Sequence, residues 1–209
     1  MPILGATSFL GDFWYEIVFK LIFLLIIPWL IYRKLGHRTK DLLFGWRLTP
    51  QRLFWLVLAF STGILLNVVY INEIRSAAKQ MNAFATIGRI TIGALMALMT
   101  AGFPEEFVYR GIIQTRLEIV VGRFLAIITT LILFVAWHLP TRYLLAQGIE
   151  GQAGNWTSVL IGTGIPVAII GLIFGWAWDR FRNLPALIAA HWAIDLLPTV
   201  AFFMGLKPH

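Results

Sequence analysis

Three short motifs place ionisable residues within apolar stretches of this sequence. The first holds the adjacent Glu105 and Glu106. His138 lies on the next apolar stretch, and His191 and Asp195 lie four residues apart on the last. A carboxylate and an imidazole held together can bind a water molecule and remove its proton. These residue types are therefore suited to hydrolysis.

Helical spacing separates the roles of the two glutamates. On an α-helix, Glu106 and Arg110 share one face, with the glutamate on the N-terminal side, which is the favourable orientation for an ion pair. Glu105 points about 100° away around the helix. We therefore expect Arg110 to neutralise Glu106 and leave Glu105 available for chemistry. Glu16 and Lys20, also four apart, are expected to neutralise each other near the membrane interface.

The turn near Val121 relates Glu105 to His138. Glu105 lies 16 residues before position 121, and His138 lies 17 residues after it. In an antiparallel helical hairpin both arms then rise about 24 Å from the turn, which predicts equal depth for the two groups. His191 and Asp195 share one face of the last helix, and the geometry permits them to reach the same level.

Composition indicates that these stretches lie in lipid. The chain has 209 residues, of which 59% are apolar and 13% are charged, with a formal net charge of +7. A soluble domain has about 25% charged residues, and a core of this size cannot bury so much apolar surface. The absence of cysteine excludes disulfides, thiolate metal sites and a cysteine nucleophile.

Runs of about 17–25 apolar residues predict an all-α fold, a polytopic transmembrane helix bundle with about six spans and the active site inside the bundle. The predicted spans are Phe13–Tyr32, Leu53–Ile71, Ile87–Leu117, Phe124–Pro140, Trp156–Trp178 and Leu184–Met204. We expect a single integral-membrane domain over residues 1–209, in which residues 13–72 form accessory spans.

The distribution of cationic residues predicts the orientation of the chain, because cytoplasmic connections are enriched in Lys and Arg. One side of the predicted bundle holds eleven: Arg33, Lys34, Arg38, Lys40, Arg47, Arg52, Arg110, Arg116, Arg123, Arg180 and Arg182. The other side holds five: Arg75, Lys79, Arg89, Arg142 and Lys207. We expect a multi-pass protein of the bacterial inner (plasma) membrane, with both termini extracytoplasmic.

The three motifs together resemble those of the CPBP intramembrane proteases, which include the CAAX prenyl endopeptidases and the bacterial Abi proteins. The family motifs are two Glu followed by Arg, Phe four before His, and His four before Asn or Asp. Here the second motif is formed by Phe134 and His138. The resemblance covers residues 87–204 and implies that they form the catalytic core. The order of three motifs on separate apolar spans makes it specific.

The resemblance implies an intramembrane glutamic-type endopeptidase. By correspondence, Glu105 and His138 activate the water, and His191 and Asp195 stabilise the oxyanion. Glu106, Arg110 and Phe134 support the site structurally. The expected partners are membrane lipid and a peptide or protein substrate with a membrane-associated segment, and no nucleic acid is expected.

Asp195 leaves the mechanism open, because the family often has Asn in that position. Asp195 can donate a hydrogen bond only when protonated, or it can hold His191 as an imidazolium that donates instead. Alternatively, Glu105, His138, His191 and Asp195 can bind Zn²⁺. We prefer a mechanism without a cofactor, since glutamate and histidine suffice for general-base chemistry. The alternative of another class is a non-enzymatic membrane protein for binding, immunity or transport.

Overall fold

The computed structural model describes residues 13–38 and 49–206, except for the side chains of residues 13–16. Every regular element in these two ranges is helical, which confirms the all-α class. The α-helices are α1 (Phe13–Lys20), α2 (Ile27–Lys34), α3 (Pro50–Leu66), α4 (Val69–Ala78), α5 (Ala83–Ala97), α6 (Phe103–Glu106), α7 (Thr115–Val121), α8 (Arg123–Leu145), α9 (Trp156–Val159), α10 (Ile165–Phe181) and α11 (Leu184–Phe203). Four π-helical segments are π1 (Leu21–Ile26), π2 (Leu98–Gly102), π3 (Phe107–Gln114) and π4 (Leu160–Gly164). Lys40, Arg47, Lys207 and the side chain of Glu16 lie outside the described residues.

Four helical stretches among the described residues are long and apolar enough to cross a membrane. They are Ala83–Val121, Arg123–Leu145, Trp156–Phe181 and Leu184–Phe203. A bent pair, α3 with α4, raises the number to five if it forms one span. The polytopic architecture is therefore confirmed, but the expected count of six spans is not. The first predicted span is helical and includes Glu16 and Lys20 among its apolar residues.

The predicted second span is interrupted at Asn67, where α3 and α4 meet at an angle of 73°. The side-chain amide of Asn67 donates to the carbonyl of Gly63, 3.3 Å away, and to that of Ile194, 2.9 Å away. Asparagine side chains compete with the backbone for such acceptors, which favours a break in the helix. Apolar composition alone did not reveal this bend.

The described residues form two compact units. The continuous unit comprises residues 109–182, and the discontinuous unit comprises residues 13–38, 49–108 and 183–206. The division of the chain into accessory spans and a core stays a prediction.

In the discontinuous unit, α11 packs against α3, α4, α5 and α6. Asn183 caps this helix by accepting a hydrogen bond from the backbone N–H of Ala186. Its Trp192 indole donates to the carbonyl of Ala94 on α5 at 2.8 Å. The first helical region also joins this unit, since α1 contacts π2 and π1 contacts α6. These contacts bring three distant parts of the sequence around α6.

In the continuous unit, α8 packs against α7 and α10. Gly122, with φ +79°, separates α7 from α8, and confirms the turn predicted near Val121. Gly171 on α10 allows close packing, because a β-carbon there would lie 2.9 Å from a methyl of Leu131 and 3.0 Å from the ring of Phe134. The unit is thus a tightly packed set of apolar helices.

Replacement of Gly63 by alanine should destabilise the protein. A β-carbon at Gly63 would lie 2.7 Å from the β-carbon of Ala193 and 2.9 Å from the backbone nitrogen of Ile194. Overpacking of this kind costs about 1–3 kcal/mol. The measurement is thermal unfolding in detergent micelles followed by circular dichroism. Gly88→Ala is the matched control, because a β-carbon there meets nothing within 4 Å; equal melting temperatures for the two variants would contradict the packing argument.

Candidate active site

The two glutamates lie on α6, a short α-helix between π2 and π3. Pro104 lies inside the continuous helical stretch Ala83–Val121, where it has no backbone N–H to donate to the preceding turn. Both Glu105 and Glu106 are fully buried. π-Helical segments inside longer helices frequently occur at functional sites. The flanking π-helices also mean that the uniform α-helical spacing expected for this stretch is wrong beyond Glu106.

His191 on α11 contacts both glutamates. Its Nδ1 lies 2.7 Å from Oε1 of Glu106, and its Nε2 lies 3.8 Å from Oε2 of Glu105. The same Nε2 lies 3.4 Å from Oδ2 of Asp195, one helical turn further along α11. The structure therefore brings together four of the predicted site residues, those that belong to the discontinuous unit.

The ring of His191 is oriented by Glu106. A carboxylate accepts hydrogen bonds, so the 2.7 Å contact requires Nδ1–H to donate to Glu106. The two distances from Nε2 to carboxylate oxygens exceed the about 2.7–3.2 Å of ordinary N–H···O bonds. Nε2 therefore points toward two carboxylates while Nδ1 fixes the ring.

Asp195 differs from the glutamates in exposure. Its side chain is 37% exposed, whereas that of His191 is 7% exposed and those of the glutamates are 1% or less. Asp195 therefore lies at the accessible edge of this otherwise buried group.

Lys20 was not expected at this site. Its ammonium lies 2.9 Å from Oε1 of Glu105, and only 13% of the Lys20 side chain is exposed. The expectation that Lys20 pairs only with Glu16 is thus incomplete. Glu105 forms an ion pair with Lys20. The sequence feature that could have predicted such a contact is a lysine inside an apolar span, since a buried charge in a membrane needs a partner.

An apolar groove lies in the same unit as the glutamates. It is lined by Leu25, Ile26, Trp29, Phe103 and Phe107, and has a volume of about 270 Å³. Two of these residues belong to the same helical stretch as the glutamates, and the other three to the first helical region. The groove can therefore hold an apolar group.

The other three predicted site residues, Arg110, Phe134 and His138, contact one another in the continuous unit. The guanidinium carbon of Arg110 lies 4.5 Å from the ring centre of Phe134. The ring of His138 meets the same phenylalanine edge-on, with centres 4.7 Å apart. The Arg110 side chain also donates to the carbonyl of Gly171 at 3.2 Å and is buried. Phe134 thus holds the other two side chains in place.

The tautomer of His138 follows from its hydrogen bond. Nδ1 lies 2.7 Å from the carbonyl oxygen of Phe134, one turn earlier on α8. Since a carbonyl only accepts, Nδ1 carries the proton, and the lone pair of a neutral ring lies on Nε2. A ring nitrogen with a lone pair can accept a proton in a reaction. The predicted pairings of His138 with Glu105 and of Arg110 with Glu106 stay predictions, because their members belong to different units.

The zinc alternative stays a prediction, because His138 belongs to a different unit from Glu105, His191 and Asp195. Among the residues that the structure describes, no group of three or more His, Cys, Asp or Glu side chains has the arrangement of a metal site. The ammonium of Lys20 also contacts one oxygen of Glu105, and a cation there opposes a bound metal. A reaction without zinc therefore agrees with the contact between Lys20 and Glu105.

Comparison with known proteins identifies one family. A family model described as type II CAAX prenyl endopeptidase Rce1-like matches residues 87–197. This segment contains all three motifs and covers more than half of the chain. No curated protein matches the sequence, and no solved structure matches it.

Phe134→Ala should lower the stability of the protein, because Phe134 is buried and supports both Arg110 and His138. Truncation of a buried phenylalanine costs about 3–5 kcal/mol. The measurement is the melting temperature in detergent micelles. Phe202→Ala is the control, since Phe202 is 51% exposed. Equal melting temperatures for Phe134→Ala and Phe202→Ala would contradict the proposal that Phe134 supports Arg110 and His138.

Proposed function

We propose, since this chain belongs to the Rce1-like family of type II CAAX prenyl endopeptidases, that it cleaves membrane-associated peptides with Glu105 as its general base. The protein is a multi-pass integral membrane protease of the CAAX type. The observation that carries the assignment of the base is the contact of buried Glu105 with Lys20 and His191, within apolar helices. A carboxylate held in this way is preorganised to take a proton from water.

The proposed reaction is direct hydrolysis of a peptide bond. Glu105, with His138 as the second activating group, removes a proton from water, and the hydroxide attacks the scissile carbonyl carbon. The carbonyl oxygen becomes an oxyanion, which accepts a hydrogen bond from Nε2–H of His191. When the intermediate collapses, the C–N bond breaks and the proton passes to the leaving amine nitrogen. Water supplies both the hydroxyl and the proton, so no other reactant is needed.

Glu106 and Asp195 support the donor role of His191 in this proposal. The hydrogen bond to Glu106 fixes the ring, and the charge of Asp195 favours the imidazolium form. A charged donor stabilises a developing oxyanion more strongly than a neutral one. The contacts of His191 thus support the alternative in which Asp195 acts through the histidine.

The substrate class follows from the groove and the family description. The family is described as acting on prenyl-type CAAX substrates, and a prenyl chain is a long, apolar group. The groove between the first helical region and the helical stretch that carries Glu105 is lined only by apolar and aromatic side chains. We infer that it binds the prenyl chain of a substrate whose C-terminal peptide is cleaved. We also propose the inner (plasma) membrane of a bacterium as the location, with the side richer in Lys and Arg cytoplasmic and both termini extracytoplasmic.

Glu105→Gln should nearly abolish cleavage, because the amide keeps the shape of the side chain but cannot accept the proton. Removal of a general base lowers kcat by about 10²–10⁴-fold. The assay uses the purified protein and a farnesylated CAAX-type peptide with a fluorophore and a quencher on opposite sides of the scissile bond. His138→Ala should lower kcat as well. Glu73→Gln, on α4, is the control and should cleave normally; full activity of Glu105→Gln would end the proposal.

Treatment with a chelator distinguishes the mechanism without metal from the zinc-dependent alternative. The mechanism without metal predicts that a strong chelator leaves the cleavage rate of the purified protein unchanged. Loss of activity that is restored by added Zn²⁺ would instead support the metalloprotease mechanism.

Trp29→Ala should weaken recognition of the prenyl chain. Loss of the indole from the groove removes apolar contact area, and we expect KM for the farnesylated peptide to rise about 10-fold with kcat unchanged. KM for the same peptide without the farnesyl group should not change. The matched control is Trp55→Ala, since Trp55 is 36% exposed against 39% for Trp29 and does not line the groove. A farnesyl group without effect on KM in the wild-type protein would disprove this role of the groove.

A further inference from the structure

Lys20 lies outside every motif and outside the matched segment, yet it contacts the proposed general base. It ends α1, immediately before π1. Its ammonium donates a hydrogen bond to Oε1 of Glu105, 85 residues away in sequence, at 2.9 Å. The side chains are 13% and 1% exposed respectively. This is a charged pair in an apolar environment.

Such a contact is unusual for a lysine in a membrane helix. Lysine side chains normally extend along the helix and place the ammonium in the polar interface. Lys20 instead directs its charge toward a buried carboxylate. Contacts between the N-terminal region and the glutamate region make this possible, since α1 contacts π2 and π1 contacts α6. The ion pair thus joins the first helical region to the helix that carries Glu105.

The two oxygens of Glu105 have different partners. Oε1 accepts from Lys20, whereas Oε2 faces Nε2 of His191 at 3.8 Å. Rotation of the carboxylate out of its plane would lengthen the 2.9 Å bond between two charged groups, which is costly in apolar surroundings. The contact with Lys20 therefore fixes the plane of the carboxylate, with one oxygen at the ammonium and the other toward the histidine.

We propose that Lys20 is a positioning residue for catalysis, which holds the carboxylate of Glu105 so that Oε2 faces the reacting water. The proposal rests on the proposed function of Glu105 as the base. Lys20 acts through Glu105 and does not touch the substrate. Its loss is therefore expected to affect the rate of the chemical step and to leave substrate binding unchanged.

Kinetics of lysine variants test this role with the farnesylated fluorogenic peptide. In Lys20→Met and Lys20→Gln, kcat should fall about 10–100-fold, because a catalytic group that is misplaced by about 1 Å costs on that order. KM should not change. Lys20→Arg keeps the charge and a donor, and should recover much of the lost kcat. Lys34→Met is the matched control on the exposed end of the same helical region and should behave as the wild type.

A double variant separates positioning from general structural support. If Lys20 acts through Glu105, adding Lys20→Met to Glu105→Gln should not lower the residual rate further. Melting temperatures of all variants are measured alongside. A wild-type kcat in Lys20→Met or Lys20→Gln would overturn the inference. An equal loss of kcat when Lys20→Met is added to Glu105→Gln would also overturn it. So would a loss of kcat that follows the melting temperature and is not recovered by Lys20→Arg.

These outcomes are distinct from failure of the proposed function. Cleavage by the wild type that depends on Glu105 tests the function without any Lys20 variant. If Glu105→Gln is inactive while Lys20→Met is fully active, the function stands and only the positioning role is lost. If Glu105→Gln is fully active, both proposals fail together.

Discussion

The burial of two adjacent carboxylates in an apolar protein is the constraint on which the site depends. Glu105 and Glu106 have no exposed surface, and an isolated charge in such surroundings is strongly unfavourable. Hydrogen-bonding and charged partners must therefore come from other helices. Lys20 reaches one glutamate from the first helical region, and His191 reaches both from α11. Charge compensation thus dictates which helices surround α6.

Close helix packing makes these contacts possible. Glycines on α3 and α5 face α11, where a β-carbon at Gly63 or Gly93 would overlap the backbone or side chains of that helix. Small residues let helices approach closely in membranes, where van der Waals packing replaces the hydrophobic effect as the driving force. The resulting short distances hold His191 against the carboxylates. Stability and the geometry of the site therefore depend on the same contacts.

Local sequence patterns predicted part of this structure. Apolar runs identified the four long helical stretches, and the motif residues identified the protease family. The break at Asn67 and the π-helices beside α6 were missed, because they arise from side-chain competition and tertiary packing, not from average hydropathy. The contact between Lys20 and Glu105 was missed for a similar reason. Helical spacing relates residues within one turn or two, but carries no information on residues 85 positions apart.

The segment recognisable as a protease begins within α5, whereas the folded unit that holds the glutamates begins with α1. α3 covers one side of α11, and α1 supplies the ammonium at Glu105. A gene fragment that encodes only the recognisable segment would leave the α3-facing surface of α11 open to lipid. Mutations upstream of residue 87 can consequently alter the charge at the active site while every motif residue stays the same.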